Sequence, residues 1–128
     1  MKDLLAFLDA SPSAFNAIKG FEAILSKNGF EQLKESEDYV LKGGKNYYII
    51  RNLSSILAFK IPLDLKESSF KITASHSDCP ALKLKPGSLI KENGYVKLNV
   101  EKYGGSIDYT WLDRPLSLAG RIIYQKEG

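Results

Sequence analysis

From Gly43 onward the chain is broken at short intervals by turn signals: Gly43-Gly44-Lys45-Asn46, Asn52-Leu53-Ser54-Ser55, Pro86-Gly87, Asn93-Gly94 and Gly104-Gly105. Segments cut this short suit strands better than helices, and they carry the alternation of apolar and polar side chains that a half-buried strand needs. The expected strands are Asn46 to Arg51, Ile56 to Ile61, Phe70 to Ala74, Leu89-Ile90, Tyr95 to Val100, Ile107 to Trp111 and Gly120 to Tyr124. Ile56 to Ile61 is apolar enough to lie inside a sheet. Tyr39-Val40-Leu41 is placed to pair with Asn46 to Arg51 across the glycine pair, and Phe30 to Asp38 reads as an acidic connector. Helices are confined to the start. Lys2 to Asp9 is a short amphipathic helix with Leu4, Leu5, Phe7 and Leu8 on its apolar side. Ser11 then reads as an N-cap, with Pro12 at the first helical position, where its missing N–H costs nothing. Phe15, Ile18, Phe21 and Leu25 recur at helical spacing, the mark of a helix packed on a sheet, and Asn28-Gly29 stops it.

Composition narrows the function classes. At 128 residues the chain can bury a core, and 44% hydrophobic with 26% charged residues is ordinary for a globular protein. The net charge is +3, but the lysines are spread along the chain, and arginine is limited to Arg51, Arg114 and Arg121. A nucleic-acid footprint would cluster. The tyrosines and lysines interleaved over residues 95–109 raise a nucleic-acid-binding barrel as an alternative, but ordinary sheet packing accounts for them better. One cysteine, Cys79, excludes an intrachain disulfide and suits a reducing compartment, so the expected location is cytoplasmic. The N-terminus is apolar only in short runs and carries acids, which fits neither a signal peptide nor a membrane span.

The chemistry concentrates in Ala74-Ser75-His76-Ser77-Asp78-Cys79-Pro80, followed by Ala81-Leu82-Lys83-Leu84-Lys85-Pro86, where the two prolines are expected to end regular structure. This stretch holds the only histidine and the only cysteine. His76 leaves the tip of a strand. One residue separates it from Asp78, so in an extended segment both point to the same side. A neutral imidazole can ligate a metal through one nitrogen while a carboxylate fixes its tautomer. The spacing alone is weak evidence, and an ordinary surface or core histidine accounts for it more readily. The other acids near His76 in sequence, Glu67, Asp64 and Glu92, sit in polar loop or turn segments that suit solvation.

Four blocks together resemble the aspartyl aminopeptidase (M18) family of zinc metalloaminopeptidases, in its N-terminal portion only. Ser11-Pro12-Ser13-Ala14-Phe15 is similar to the family's Ser-Pro-Thr-x-Phe start. Arg51-Asn52-Leu53-Ser54-Ser55-Ile56-Leu57-Ala58-Phe59 is similar to its Arg-Asn-x-Ser-Ser-x-x-Ala-Phe hairpin. Ser75 to Pro80 with Leu82 to Pro86 resembles its His-Thr-Asp-Ser-Pro and Leu-Lys-x-Lys-Pro. Tyr103-Gly104-Gly105 with Trp111 to Arg121 resembles its Tyr-Gly-Gly and Trp-x-Asp-Arg-x-Leu-x-x-Ala-Gly-Arg.

The resemblance implies an α/β fold: over residues 1–88 the helix and mixed-sheet N-terminal part of a catalytic domain, then over 89–128 the start of an inserted β-rich dimerisation domain. It implies an exopeptidase with two zinc ions per active site, a glutamate as general base, peptide substrates with acidic or neutral N-termini, and assembly into a homo-oligomer, with neither nucleic acid nor membrane as partner. His76 matches the first zinc ligand and Asp78 the catalytic-site carboxylate that orients it. The departures are specific. Family chains are several times longer, and the bridging aspartate, the glutamate pair and the second histidine ligand match nothing in this sequence. Asn16 stands where the family often has histidine, and Cys79 replaces a serine. Cys79 reads either as a small buried side chain or as a thiol near the metal. The chain alone is therefore expected to bind zinc weakly at most and to be inactive. The alternative is a standalone binding or assembly module that kept the family's N-terminal part without its peptidase chemistry.

Overall fold

A computed structural model describes residues 1–66 and 69–126, so Glu67 and the final two residues lie outside the described residues. Among the described residues the protein is a mixed α/β chain with two α-helices and two sheets. Packing divides it into two units: residues 1–78 together with the terminal segment from Ala119, and Cys79–Leu118. The expected boundary at residues 88 and 89 falls inside a strand of the second unit.

The first unit opens with α1 (Lys2–Asp9) and α2 (Ala14–Lys27), both where the apolar spacing put them. The cap of α2 differs from expectation: Ser13, not Ser11, is the N-cap. The Ser13 hydroxyl accepts from the Asn16 N–H at 3.4 Å and donates to Asn16 Oδ1 at 2.6 Å. Ser11 has Ala14 three residues on, which offers no such reciprocal partner, so the later serine wins. Asn28 closes the helix, and Gly29 takes the left-handed φ of 76° that glycine adopts freely. Along the apolar stripe, Ala17 and Ile18 are buried, whereas Phe21 turns to α1 and meets Phe7 at 4.8 Å between ring centres.

The sheet of this unit has the order β1 (Glu31–Leu33), β2 (Asn46–Arg51), β3 (Ser55–Lys60), with β1 parallel and β3 antiparallel to β2. Its core is Tyr47 and Tyr48 of β2 together with Ala17 and Ile18. Tyr48 Oη lies 3.1 Å from Ser26 Oγ on α2, which gives the buried phenol a polar partner. Five expectations need correction here. The acidic connector contains β1, a three-residue strand too short to show alternation. Tyr39-Val40-Leu41 is not a strand, because β1 and β3 occupy both sides of β2 and leave it no ladder. For the same reason the inner strand is β2, and the apolar β3 is at the edge. Phe70 to Ala74 is not a strand either. Among the described residues no backbone pairs with it, and Phe70 is 97% exposed. Gly120 to Tyr124 likewise forms no strand, and Ile122 and Ile123 are exposed.

The second unit is an antiparallel hairpin of β4 (Ala81–Glu92) and β5 (Tyr95–Tyr103). Asn93 and Gly94 take φ of 51° and 80°, the doubly left-handed turn whose twist matches the strands it joins. Pro86 does not end β4, contrary to expectation. The strand runs through Pro86 because the ladder is irregular between Leu84 and Leu89, where a residue without an N–H breaks no pairing, and Gly87 there has φ of 64°. Ile107 to Trp111, expected as a strand, contains a 3-10 helix over Asp108–Trp111. Local bonds draw it that way: Asp108 accepts from the Ser106 hydroxyl at 2.8 Å and from Lys102 Nζ at 3.0 Å, and the Thr110 hydroxyl donates to the Ile107 carbonyl at 2.7 Å.

Candidate metal centre

The site is built on the connection between β2 and β3. Arg51 pairs with Ser55, so Asn52, Leu53 and Ser54 form the loop, and the Ser54 N–H donates to the Arg51 carbonyl at 3.1 Å. Asn52 and Leu53 have φ of 51° and 57°. Asparagine tolerates that region, but a leucine there is strained by about 1–2 kcal/mol and persists only when its surroundings hold it. Two groups do so. Arg51, at the base of the loop, donates through Nε to Glu35 Oε1 at 2.8 Å and also contacts it through Nη2. That hydrogen bond, aided by the guanidinium charge, holds the Glu35 carboxyl below its ordinary range and raises Arg51. Arg121 donates through Nη1 to the Asn52 carbonyl at 3.0 Å and to its Oδ1 at 3.3 Å, while its guanidinium lies 4.6 Å over the Phe15 ring.

The histidine-bearing segment attaches to the same loop. The Ser77 hydroxyl donates to the Ser54 carbonyl at 2.8 Å. On either side of Ser77, His76 Nδ1 and Asp78 Oδ1 are 3.0 Å apart, with side-chain exposures of 92% and 38%. The alternation expected across an extended tripeptide is thus present although no strand forms. A carboxylate can only accept, so Nδ1 carries the ring proton and the lone pair belongs to Nε2, on the solvent side. The residues of the four sequence blocks that lie in this unit meet here: Phe15, Asn52 to Ser54, His76 to Asp78, and Arg121.

The structure does not gather a complete metal site. Among the described residues no three histidine, cysteine, aspartate or glutamate side chains stand together as a ligand group. His76 with Asp78 fits one ligand of a zinc site and its orienting carboxylate, and nothing further. Cys79 is a free, exposed thiol rather than a small buried side chain. Sequence reasoning named His76 and Asp78 but treated Ser77 as a spacer. The signal for its role was the hydroxyl on the face opposite the pair. No signal in the sequence gave its partner, a backbone carbonyl. Among the described residues no helix is long and apolar enough to cross a membrane.

Comparison with known proteins gives the same direction throughout. Residues 7–128 match the family described as Aminopeptidase I zinc metalloprotease (M18). The chain is 42% identical over 127 residues to a probable M18 family aminopeptidase 2 of Clostridium novyi, covering 98% of this chain and 29% of that protein. It is 43% identical over 128 residues to aspartyl aminopeptidase 1 of Schizosaccharomyces pombe, covering 98% of this chain and 27% of that one. In three dimensions it is similar to mApe1 of Chaetomium thermophilum, with a TM-score of 0.82 and 32% identity over 88% of this chain and 26% of that chain. The S. cerevisiae mApe1 dodecamer gives a TM-score of 0.75 and 27% identity, over 88% and 27%. The chain therefore spans less than a third of the length of these curated relatives. With residues 7–128 matched, it belongs to the M18 family of zinc aminopeptidases.

Proposed function

We propose that this chain supplies the N-terminal part of a metalloaminopeptidase active site and that its own contribution is one zinc ligand, His76, with Asp78 as the carboxylate that orients it. The observation carrying this reading is the 3.0 Å contact between His76 Nδ1 and Asp78 Oδ1 on an exposed ring, in a chain whose family is a zinc aminopeptidase family. Asp78 accepts the hydrogen bond from Nδ1–H, keeps the ring from rotating and raises the basicity of Nε2. Zinc, when bound, polarises a peptide carbonyl and activates water for its attack. In the longer protein two zinc ions act together, and residues outside this chain supply the remaining ligands and the general base. Substrates are peptides with acidic or neutral N-terminal residues; the fission-yeast relative, an aspartyl aminopeptidase, supports the acidic choice. The single free cysteine fits a cytoplasmic setting.

The second unit serves assembly in this reading, as the start of a β-rich dimerisation part. Its hairpin exposes Leu89, Tyr95, Val96 and Leu98, and the structural neighbour from yeast is a dodecamer. The expected outcome is association of the chain in solution. A monomer at high concentration by light scattering contradicts it.

The 128-residue chain alone does not hydrolyse peptides, because one imidazole cannot hold a catalytic zinc that requires about three protein ligands. Purified protein supplemented with zinc, manganese or cobalt is expected to show no turnover of N-terminal Asp, Glu or Leu chromogenic substrates. Chelator-sensitive turnover that disappears in His76→Ala would overturn this.

A further inference from the structure

We propose that Asn93, at the tip of the β4–β5 hairpin, is a site of spontaneous backbone modification, where Asn93-Gly94 cyclises and water reopens the ring to isoaspartate, unlocking the hairpin tip.

Of the six asparagines, only Asn28 and Asn93 precede a glycine. The backbone nitrogen after an asparagine can attack the side-chain carbonyl, and glycine presents that nitrogen with no side chain to hinder it. In the first step a bond forms between Gly94 N and Asn93 Cγ, the bond from Cγ to Nδ2 breaks, and the nitrogen's proton leaves with ammonia. The product is a succinimide ring. Water then adds to one of its carbonyls. Opening at the former side-chain carbonyl gives aspartate, whereas opening at the backbone carbonyl gives isoaspartate, whose main chain is one carbon longer. The rate rises with pH, because the attacking nitrogen must lose its proton.

Exposure does not separate the two sites, since both asparagines and both glycines are exposed. Their tethers do. The Asn28 main-chain N–H donates to the Ile24 and Leu25 carbonyls at 3.1 and 3.0 Å, and its Nδ2 donates to the Ile24 carbonyl at 2.7 Å. The attacking atom there, Gly29 N, is itself bonded to the Ser26 carbonyl at 3.1 Å. Reaction at Asn28 therefore needs the end of α2 to unwind, and α2 carries the buried Ala17 and Ile18.

At the hairpin tip, among the described residues, neither the Asn93 side chain nor the Gly94 N–H has a hydrogen-bond partner. Asn93 is restrained by the left-handed turn, with φ of 51° and 80°, which holds the Gly94 nitrogen away from the side-chain carbonyl. Leaving that turn requires the ladder to open at its Glu92–Tyr95 end, and no residue of β4 or β5 is buried to resist it. Once formed, the longer main chain and the new carboxylate no longer fit a two-residue turn between paired strands.

The test is to incubate the protein at mildly alkaline pH and to read its peptides by mass spectrometry that separates isoaspartate from aspartate. Conversion at Asn93 is expected about tenfold faster than at Asn28 in the native protein. In concentrated urea, where neither turn nor helix persists, the two rates should become equal. Asn93→Gly, which suits the left-handed turn, should abolish the fast conversion and leave Asn28 as it was. Equal native rates, or a faster Asn28, would overturn the proposal. A ratio that persists in urea would overturn it too, because it would trace to neighbouring residues rather than to the fold. In the purified isoaspartate form, amide exchange is expected to quicken beside the turn in β4 and β5, with β2 unchanged. Exchange at parental rates would overturn the unlocking of the tip.

Discussion

The two sheets of this protein contrast in what surrounds them. In the first unit the inner strand β2 has partners on both edges and α2 on one face, and two of its six residues, Tyr47 and Tyr48, are buried. The hairpin of β4 and β5 is longer and fully laddered at its tip, yet none of its residues is buried. A hydrogen-bonded ladder therefore does not by itself make a core. A two-stranded hairpin is marginal in water until a third strand or another surface covers it. Among the described residues the buried apolar side chains all lie in the first unit, so the packing that stabilises the chain is concentrated there.

Core truncation should break the comparison most sharply. Ile18→Ala, at a side chain 2% exposed, is expected to cost about 2–5 kcal/mol in urea denaturation followed by far-UV circular dichroism. Leu98→Ala, at 43% exposure in the hairpin, should cost less than about 1 kcal/mol. Equal losses would mean that the hairpin has cover of its own.

A smaller effect separates the turns. Gly94→Ala places a side chain at φ of 80° and should destabilise the hairpin by about 1 kcal/mol while leaving the first unit intact. Residue-resolved amide exchange would show faster exchange confined to β4 and β5. Protection lost in β2 as well would contradict the independence of the two units.

The smallest effect is electrostatic and belongs to the first unit. Glu31, bonded to Lys45, and Glu35, bonded to Arg51, both titrate below the ordinary carboxylate range. A carboxyl depressed in the folded state adds stability that is present above its unfolded pKa and is lost as pH falls through its folded one. The first unit should therefore weaken as pH drops below about 4, and less so in Glu31→Gln and Glu35→Gln. Both pairs are exposed, so added salt should mute the difference. An acid limb unchanged in both variants would remove these pairs from the account.

Much of the fold was legible where local chemistry decides it. The apolar spacing placed α1 and α2, and Asn93-Gly94 placed its turn, because helix periodicity and left-handed turn residues act over a few positions. The misassigned segments depended on distant partners. Phe70 to Ala74 and Gly120 to Tyr124 have strand-like alternation, but a strand exists only where another backbone pairs with it. Tyr39-Val40-Leu41 lost its place to Glu31–Leu33, which no pattern announced. The pair His76 and Asp78 was readable from a spacing of two. Its attachment was not, since Ser54 offers a carbonyl that any residue carries, and Arg121 reaches Asn52 from 69 positions away.

The central claim is that His76 is a metal ligand held by Asp78. It is tested most directly by measuring zinc content and turnover of a longer protein that contains this chain, as wild type, His76→Ala and Asp78→Asn. The account predicts that His76→Ala loses bound zinc and most activity, and that Asp78→Asn loses activity by about 10–100-fold while recovering part of it at saturating zinc. Zinc content and turnover at wild-type levels in His76→Ala would contradict it.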